Sequence, residues 1–112
     1  MIRLFTGYDD REAVGWHVFC QSVIEKTSEP VAITPLSGKT DGTNAFTLAR
    51  FLVPSLCEFQ GWAIFADGAD MLLRRDLAEL WALRDERCAV QVVQHDYTPK
   101  LAPFPKMVPK AA

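Results

Sequence analysis

Gly61-Trp-Ala-Ile-Phe-Ala66-Asp67-Gly68-Ala-Asp70 is the stretch from which the fold can be read. Trp62 to Ala66 is a short, unbroken apolar run, entered through Gly61 and left through Asp67-Gly68, and its composition is that of a strand with both faces buried. Strands of that kind belong to parallel sheets, because only crossover helices cover both faces at once. Upstream, Ala45, Leu48, Ala49, Leu52, Val53 and Leu56 recur at helical spacing, with Pro54 kinking or dividing the helix they predict and Arg50 falling off the apolar stripe. Further back lie a polar, glycine-containing loop over Ser37 to Thr43, a short strand Val31 to Thr34 ended by Pro35, and a helix that must stop before Pro30. That helix places Trp16, Phe19, Cys20, Val23 and Ile24 on one face, with Glu12 in its first turn. Ile2 to Thr6 is the first strand, closed by Gly7-Tyr-Asp-Asp10.

Downstream, Asp76 and Glu79 have the spacing of a capping box ahead of Leu77, Leu80 and Trp81, which predicts a short third helix, and Cys88-Ala-Val-Gln-Val-Val93 reads as a fourth strand. Strand and helix therefore alternate along residues 1–98. That order predicts an α/β domain with a mainly parallel sheet of about four strands and flanking helices. Pro99, Pro103, Pro105 and Pro109 forbid a regular helix or central strand beyond it, so 99–112 reads as an irregular tail.

Composition agrees with a single domain. The chain has 112 residues, 49% of them hydrophobic and 23% charged, enough for one core and too apolar for disorder. Its net charge of −2 is uneven: Lys100, Lys106 and Lys110 sit in the tail without an acid, so the body is markedly acidic. An acidic body is a poor match for nucleic acid and suits a cation, or an anionic ligand that arrives with one. No apolar run approaches the ~18 residues of a membrane span, and Met1-Ile-Arg-Leu-Phe-Thr6 lacks the order of a secretion signal, so the expected location is the cytoplasm. Cys20, Cys57 and Cys88 are odd in number and widely spaced, which suits buried, reduced thiols.

Ligands of parallel α/β sheets bind at the carboxyl ends of the strands. Three predicted strand ends carry acids here: Tyr8-Asp9-Asp10, Asp67-Gly-Ala-Asp70 and His95-Asp96-Tyr97. Gly68 permits a turn in which Asp67 and Asp70 converge, and paired carboxylates are the hard oxygen ligands that magnesium or manganese takes together with water and substrate phosphates. The same four residues also make an ordinary solvated turn. Asp9 and Asp10 can hold a ribose hydroxyl or base edge beneath a stacking Tyr8, or act simply as turn formers. Arg50 is a fork suited to a phosphate or a carboxylate, or part of a solvated helix face. His95 and Asp96 can supply a base or a sugar contact, or be structural, and His17 reads as structural. There is no Walker loop, no G-x-G-x-x-G and no G-x-S-x-G.

Four segments in order carry a family resemblance: Ile2-Arg-Leu-Phe-Thr-Gly-Tyr-Asp-Asp-Arg-Glu-Ala13, Phe46-Thr-Leu-Ala-Arg-Phe-Leu-Val-Pro-Ser-Leu56, Trp62-Ala-Ile-Phe-Ala-Asp-Gly-Ala-Asp-Met-Leu72 and Asp76-Leu-Ala-Glu-Leu80. Together they resemble the N-terminal half of nucleotide-sugar glycosyltransferases of the glycogenin and bacterial galactosyltransferase-like family, which have the GT-A fold. The resemblance implies that Thr6, Tyr8, Asp9 and Asp10 cradle the uridine of a UDP-sugar and that Arg50 approaches the donor. It implies that Asp70 is the second aspartate of a D-x-D motif and a direct manganese ligand. The first aspartate position of that motif is Gly68 here, with Asp67 one residue earlier. It further implies transfer of the glycosyl group to a carbohydrate or other acceptor. Family members continue well beyond this length and supply acceptor-side residues there. The competing expectation is therefore a non-catalytic nucleotide-binding or interaction module that needs a second chain, with a homo-oligomer through an exposed sheet edge as one way to complete it. A metal-dependent phosphoryl-transfer enzyme using the same acids is a third.

Overall fold

β1 (Ile2–Gly7) is the middle strand of a three-stranded parallel sheet of order β2-β1-β3, with β2 (Val31–Leu36) on one side and β3 (Ile64–Ala66) on the other. The structure is a computed structural model and describes residues 1–37, 49–94 and 96. The register places Leu4 between Ile33 and Ile64, and Thr6 between Pro35 and Ala66.

Side chains alternate across a strand, so β1 feeds two cores. Ile2 and Leu4 join Val31, Ile33 and Ile64 on one face, where α1 (Ala13–Lys26) lays down Phe19 and Val23 and α3 (Leu77–Trp81) adds Leu77. Phe5 joins Phe65 and Leu36 on the opposite face, against Ala49 of a 3-10 turn (Ala49–Leu52) and Val53 of α2 (Val53–Leu56). Ile2, Leu4 and Val23 are fully buried, each side chain contributing about 1.5–3 kcal/mol from the apolar surface it removes from water. The α/β reading and the helices on both faces of a parallel sheet are therefore observed.

Within the elements some residues sit differently from their sequence pattern. In α1, Ile24 is 62% exposed while Ser22 is buried, its hydroxyl donating to the Phe19 carbonyl and accepting from the Leu73 backbone N–H. Position 22 faces the segment that leads into α3, and its two hydrogen bonds let a polar side chain occupy the core side. The expected helix over 45–56 begins outside the described residues, as does most of the loop expected before it. Its described part is the 3-10 turn followed by α2, with Pro54 in the first turn, where a missing N–H costs nothing. Ala49, Val53 and Cys57 face inward, whereas Leu52 and Leu56 are more than half exposed. Of the cysteines only Cys20 is buried, and burial raises its thiol pKa; Cys57 is half-buried and Cys88 is exposed.

The fourth strand expected over Cys88 to Val93 is not formed. Val90, Val92 and Val93 are 74%, 83% and 78% exposed, and a cleft of about 490 Å³ separates Gln91, Val92 and Val93 from the Trp62–Phe65 stretch. Gln91 accounts for the placement. Its amide accepts from the Asp85 N–H and donates to the Leu83 carbonyl, which ties the segment to the turn after α3 and away from β3. His95, Tyr97 and the tail expected over 99–112 lie outside the described residues.

Candidate functional site at the ends of β1 and β3

From β1 the chain passes through α1 to β2 on one side, then returns across the sheet to β3 on the other side of β1. The crevice between the carboxyl ends of β1 and β3 is thus a topological switch point, the place where open α/β sheets bind ligands.

Two glycines build it. Gly68 is buried with φ +85°, and a Cβ there would meet Thr6 Cβ at 3.3 Å and Trp16 Cδ1 at 3.4 Å. A methyl at Gly15, in the first turn of α1, would fall onto the carbonyl oxygen of Ala69. The Asp67–Asp70 turn therefore rests on the end of β1 and the start of α1, with no side chain between. Trp16 Nε1 donates to Thr6 Oγ1 at 2.7 Å, and its ring meets the half-buried Tyr8 edge-on, centroids 5.3 Å apart at 83°. His17 packs against Trp16 at 5.3 Å and is itself exposed, so it supports the indole and stands outside the crevice.

The remaining candidates divide into those the crevice leaves open and those the fold has used. Arg50, delivered by the 3-10 turn before α2, holds Nη2 3.7 Å from Asp67 Oδ1 and lays its guanidinium 5.4 Å from the Phe65 ring centroid. Both side chains of that pair are near half exposure, 44% and 53%. Asp70 is exposed one residue beyond Ala69. Thr6 is fully buried and engaged by Trp16, so it supports the crevice from beneath and presents no surface to a ligand. Asp9 is 6% exposed and caps the 3-10 turn Asp10–Glu12: its Oδ1 accepts from Arg11 N and Nε, and its Oδ2 from Arg11 Nη2 at 2.6 Å. That pairing, hydrogen bond first and charge second, raises the Arg11 guanidinium further above its already high pKa. Asp9 thus caps this turn, and Asp10 is exposed within it. Asp96 is exposed, with His95 beside it outside the described residues.

Among the described residues no three His, Cys, Asp or Glu side chains gather as metal ligands. Asp67 and Asp70 are both exposed in the segment after β3, and two carboxylates suit magnesium or manganese held otherwise by water and phosphate, more than a site closed by protein alone. The residues present fit such an ion on that chemistry.

Trp16, Gly15 and Phe65 were not among the sequence candidates. Trp16 belongs to the apolar stripe of α1, and nothing in that stripe shows that its N–H reaches the end of β1. Gly15 alone carries a local signal, being a glycine in a helix that would be more stable with alanine there.

Comparison with known proteins gives one informative match. The chain is 40% identical over 112 aligned residues to "Protein CDI" of Arabidopsis thaliana, an alignment spanning 88% of this chain and 42% of that protein. This chain therefore corresponds to less than half the length of the curated relative it matches. No family model and no solved structure matches it.

Proposed function

We propose that this chain is the donor-binding part of a metal-dependent, GT-A type glycosyltransferase that binds a UDP-sugar and passes its glycosyl group to a carbohydrate or other acceptor. The observation that carries the reading is the meeting of Arg50, Asp67 and the Gly68 turn at the β1/β3 switch point, where a guanidinium and a carboxylate lie side by side, both partly exposed.

In this reading Tyr8 offers the nucleoside a ring face, braced by the edge contact with Trp16. Asp67 and Asp70 would hold manganese or magnesium, which when bound neutralises charge on the diphosphate as the glycosyl bond breaks. Arg50 adds a second positive group on the same side, its planar fork matching two phosphate oxygens. Thr6, Gly15, Trp16 and Gly68 keep the two strand ends in contact. The acceptor side and the base or nucleophile that acts on it would come from the additional length present in the relative. That same fact favours a second form of the reading, in which the chain binds nucleotide and a further polypeptide completes turnover.

Calorimetry tests it. UDP should bind with manganese present, lose affinity when manganese is removed by chelation, and fail to bind Asp70→Ala. Metal-independent binding, or none, would remove the metal-assisted site. Release of UDP from a UDP-sugar would separate the enzyme from the binding module.

A further inference from the structure

The Arg50–Asp67 contact is loose for an ion pair. At 3.7 Å it exceeds hydrogen-bonding range, about 2.7–3.2 Å, and both side chains are near half exposure, where water and salt weaken the attraction. The guanidinium has a seat that does not depend on Asp67, the ring of Phe65, 5.4 Å away. Arg50 is therefore close enough to neutralise Asp67 and free enough to leave it. A divalent cation approaching Asp67 alone meets that positive charge, and two cations on one carboxylate repel. A cation carrying a diphosphate brings the anion that Arg50 can turn to.

We propose that Arg50 exchanges partners on ligand binding: it occupies Asp67 in the free protein and moves to the diphosphate when the metal–nucleotide complex arrives, releasing Asp67 to the metal. The exchange rests on the donor-site reading above. Arg50 opposes the bare ion and favours the ion with its nucleotide, so metal and nucleotide bind with positive coupling, each raising the affinity for the other by the same factor. The site disfavours free divalent ions a few-fold and favours a loaded diphosphate.

The test is a pair of titrations with opposite expected signs. Manganese alone, followed by the electron paramagnetic resonance of the free ion, should bind Arg50→Gln about two- to fivefold more tightly than the unaltered chain, the scale of a half-exposed ion pair. Arg50→Lys should stay near the unaltered value. UDP at saturating manganese, followed by calorimetry, should bind Arg50→Gln roughly tenfold more weakly, the scale of a lost charge-assisted contact. In an Asp67→Asn background the gain in manganese affinity should vanish, an outcome a merely structural Arg50 would not produce. Arg75→Gln, which removes an exposed pair with Glu79 in α3, is the control and should match the unaltered chain in both titrations. Thermal melts establish that each variant is folded.

Unchanged or weaker manganese binding by folded Arg50→Gln, with UDP still binding the unaltered chain, overturns the exchange and leaves the donor site standing. Absence of UDP binding to the unaltered chain at saturating manganese overturns the donor site and the exchange together.

Discussion

A methyl group at residue 15 has nowhere to go, because the carbonyl of Ala69 already occupies the space. Gly15→Ala should raise the propensity of α1 and still destabilise the protein, by about 1–3 kcal/mol, since a backbone must move to admit the side chain. Urea unfolding measures the loss, and UDP affinity should fall with it because the displaced backbone carries Asp70. Trp16→Phe keeps an aromatic side chain but removes the N–H together with part of the indole, leaving the Thr6 hydroxyl buried without its donor and a small void beside it. We expect a cost of about 1–3 kcal/mol in the same assay. These residues show where local reading reaches its limit. Gly68 and Asp9 were legible as turn formers because the need is local, with Arg11 only two residues from Asp9, whereas the burial of Thr6 depends on Trp16 arriving from α1 at a particular angle.

Among the elements, α3 was legible in advance. Asp76 caps it as expected, accepting from the Ala78 N–H at 2.9 Å, although Glu79 turns to Arg75 and leaves the capping box half made. The same Asp76 carboxylate accepts from the Ser28 N–H at 3.1 Å and so ties the end of α1 to the start of α3. The hydrogen bond from the Ser28 side chain, then those from the backbone N–H groups of Ala78 and Ser28, hold the Asp76 pKa below its usual value. A carboxyl with a lower pKa in the folded than in the unfolded chain contributes stability in full above the unfolded value. That contribution fades as pH falls through the folded value, so the loss falls below about pH 4. Acid unfolding of Asp76→Asn should therefore be less steep in that range than that of the unaltered chain, from a lower starting stability, as followed by circular dichroism. At the centre of the sheet, Leu4→Ala should cost about 2–5 kcal/mol in urea unfolding, because helices on that face and strands on both sides prevent collapse into the cavity. The Cys88 to Val93 element was misread for the complementary reason. An apolar run becomes a strand only when a neighbour pairs with it, and Gln91 holds this one on the turn after α3.

At the scale of the molecule the feature that remains is the outer side of β3. Among the described residues β3 pairs with β1 alone, and the apolar cleft beside it is lined by Trp62, Phe65, Trp81 and Val92. An unpaired edge beside exposed valines invites association. Light scattering should show a mass that rises with concentration, and Val92→Lys, at a position 83% exposed, should lower it without changing the melting temperature. A mass that stays monomeric at high concentration would remove the oligomer expected from the sequence. By itself the sequence determined the α/β class, the parallel strands, the cap of α3 and the acids that follow β1 and β3, because apolar period, turn chemistry and capping act within a few residues. Only the tertiary structure decided that Trp16 closes over Thr6, that Arg50 meets Asp67, and that residues 88–93 find no strand partner among the described residues. Each of those outcomes is a contact or a missed pairing between segments remote in the chain, and its energy exists only once the intervening elements have packed.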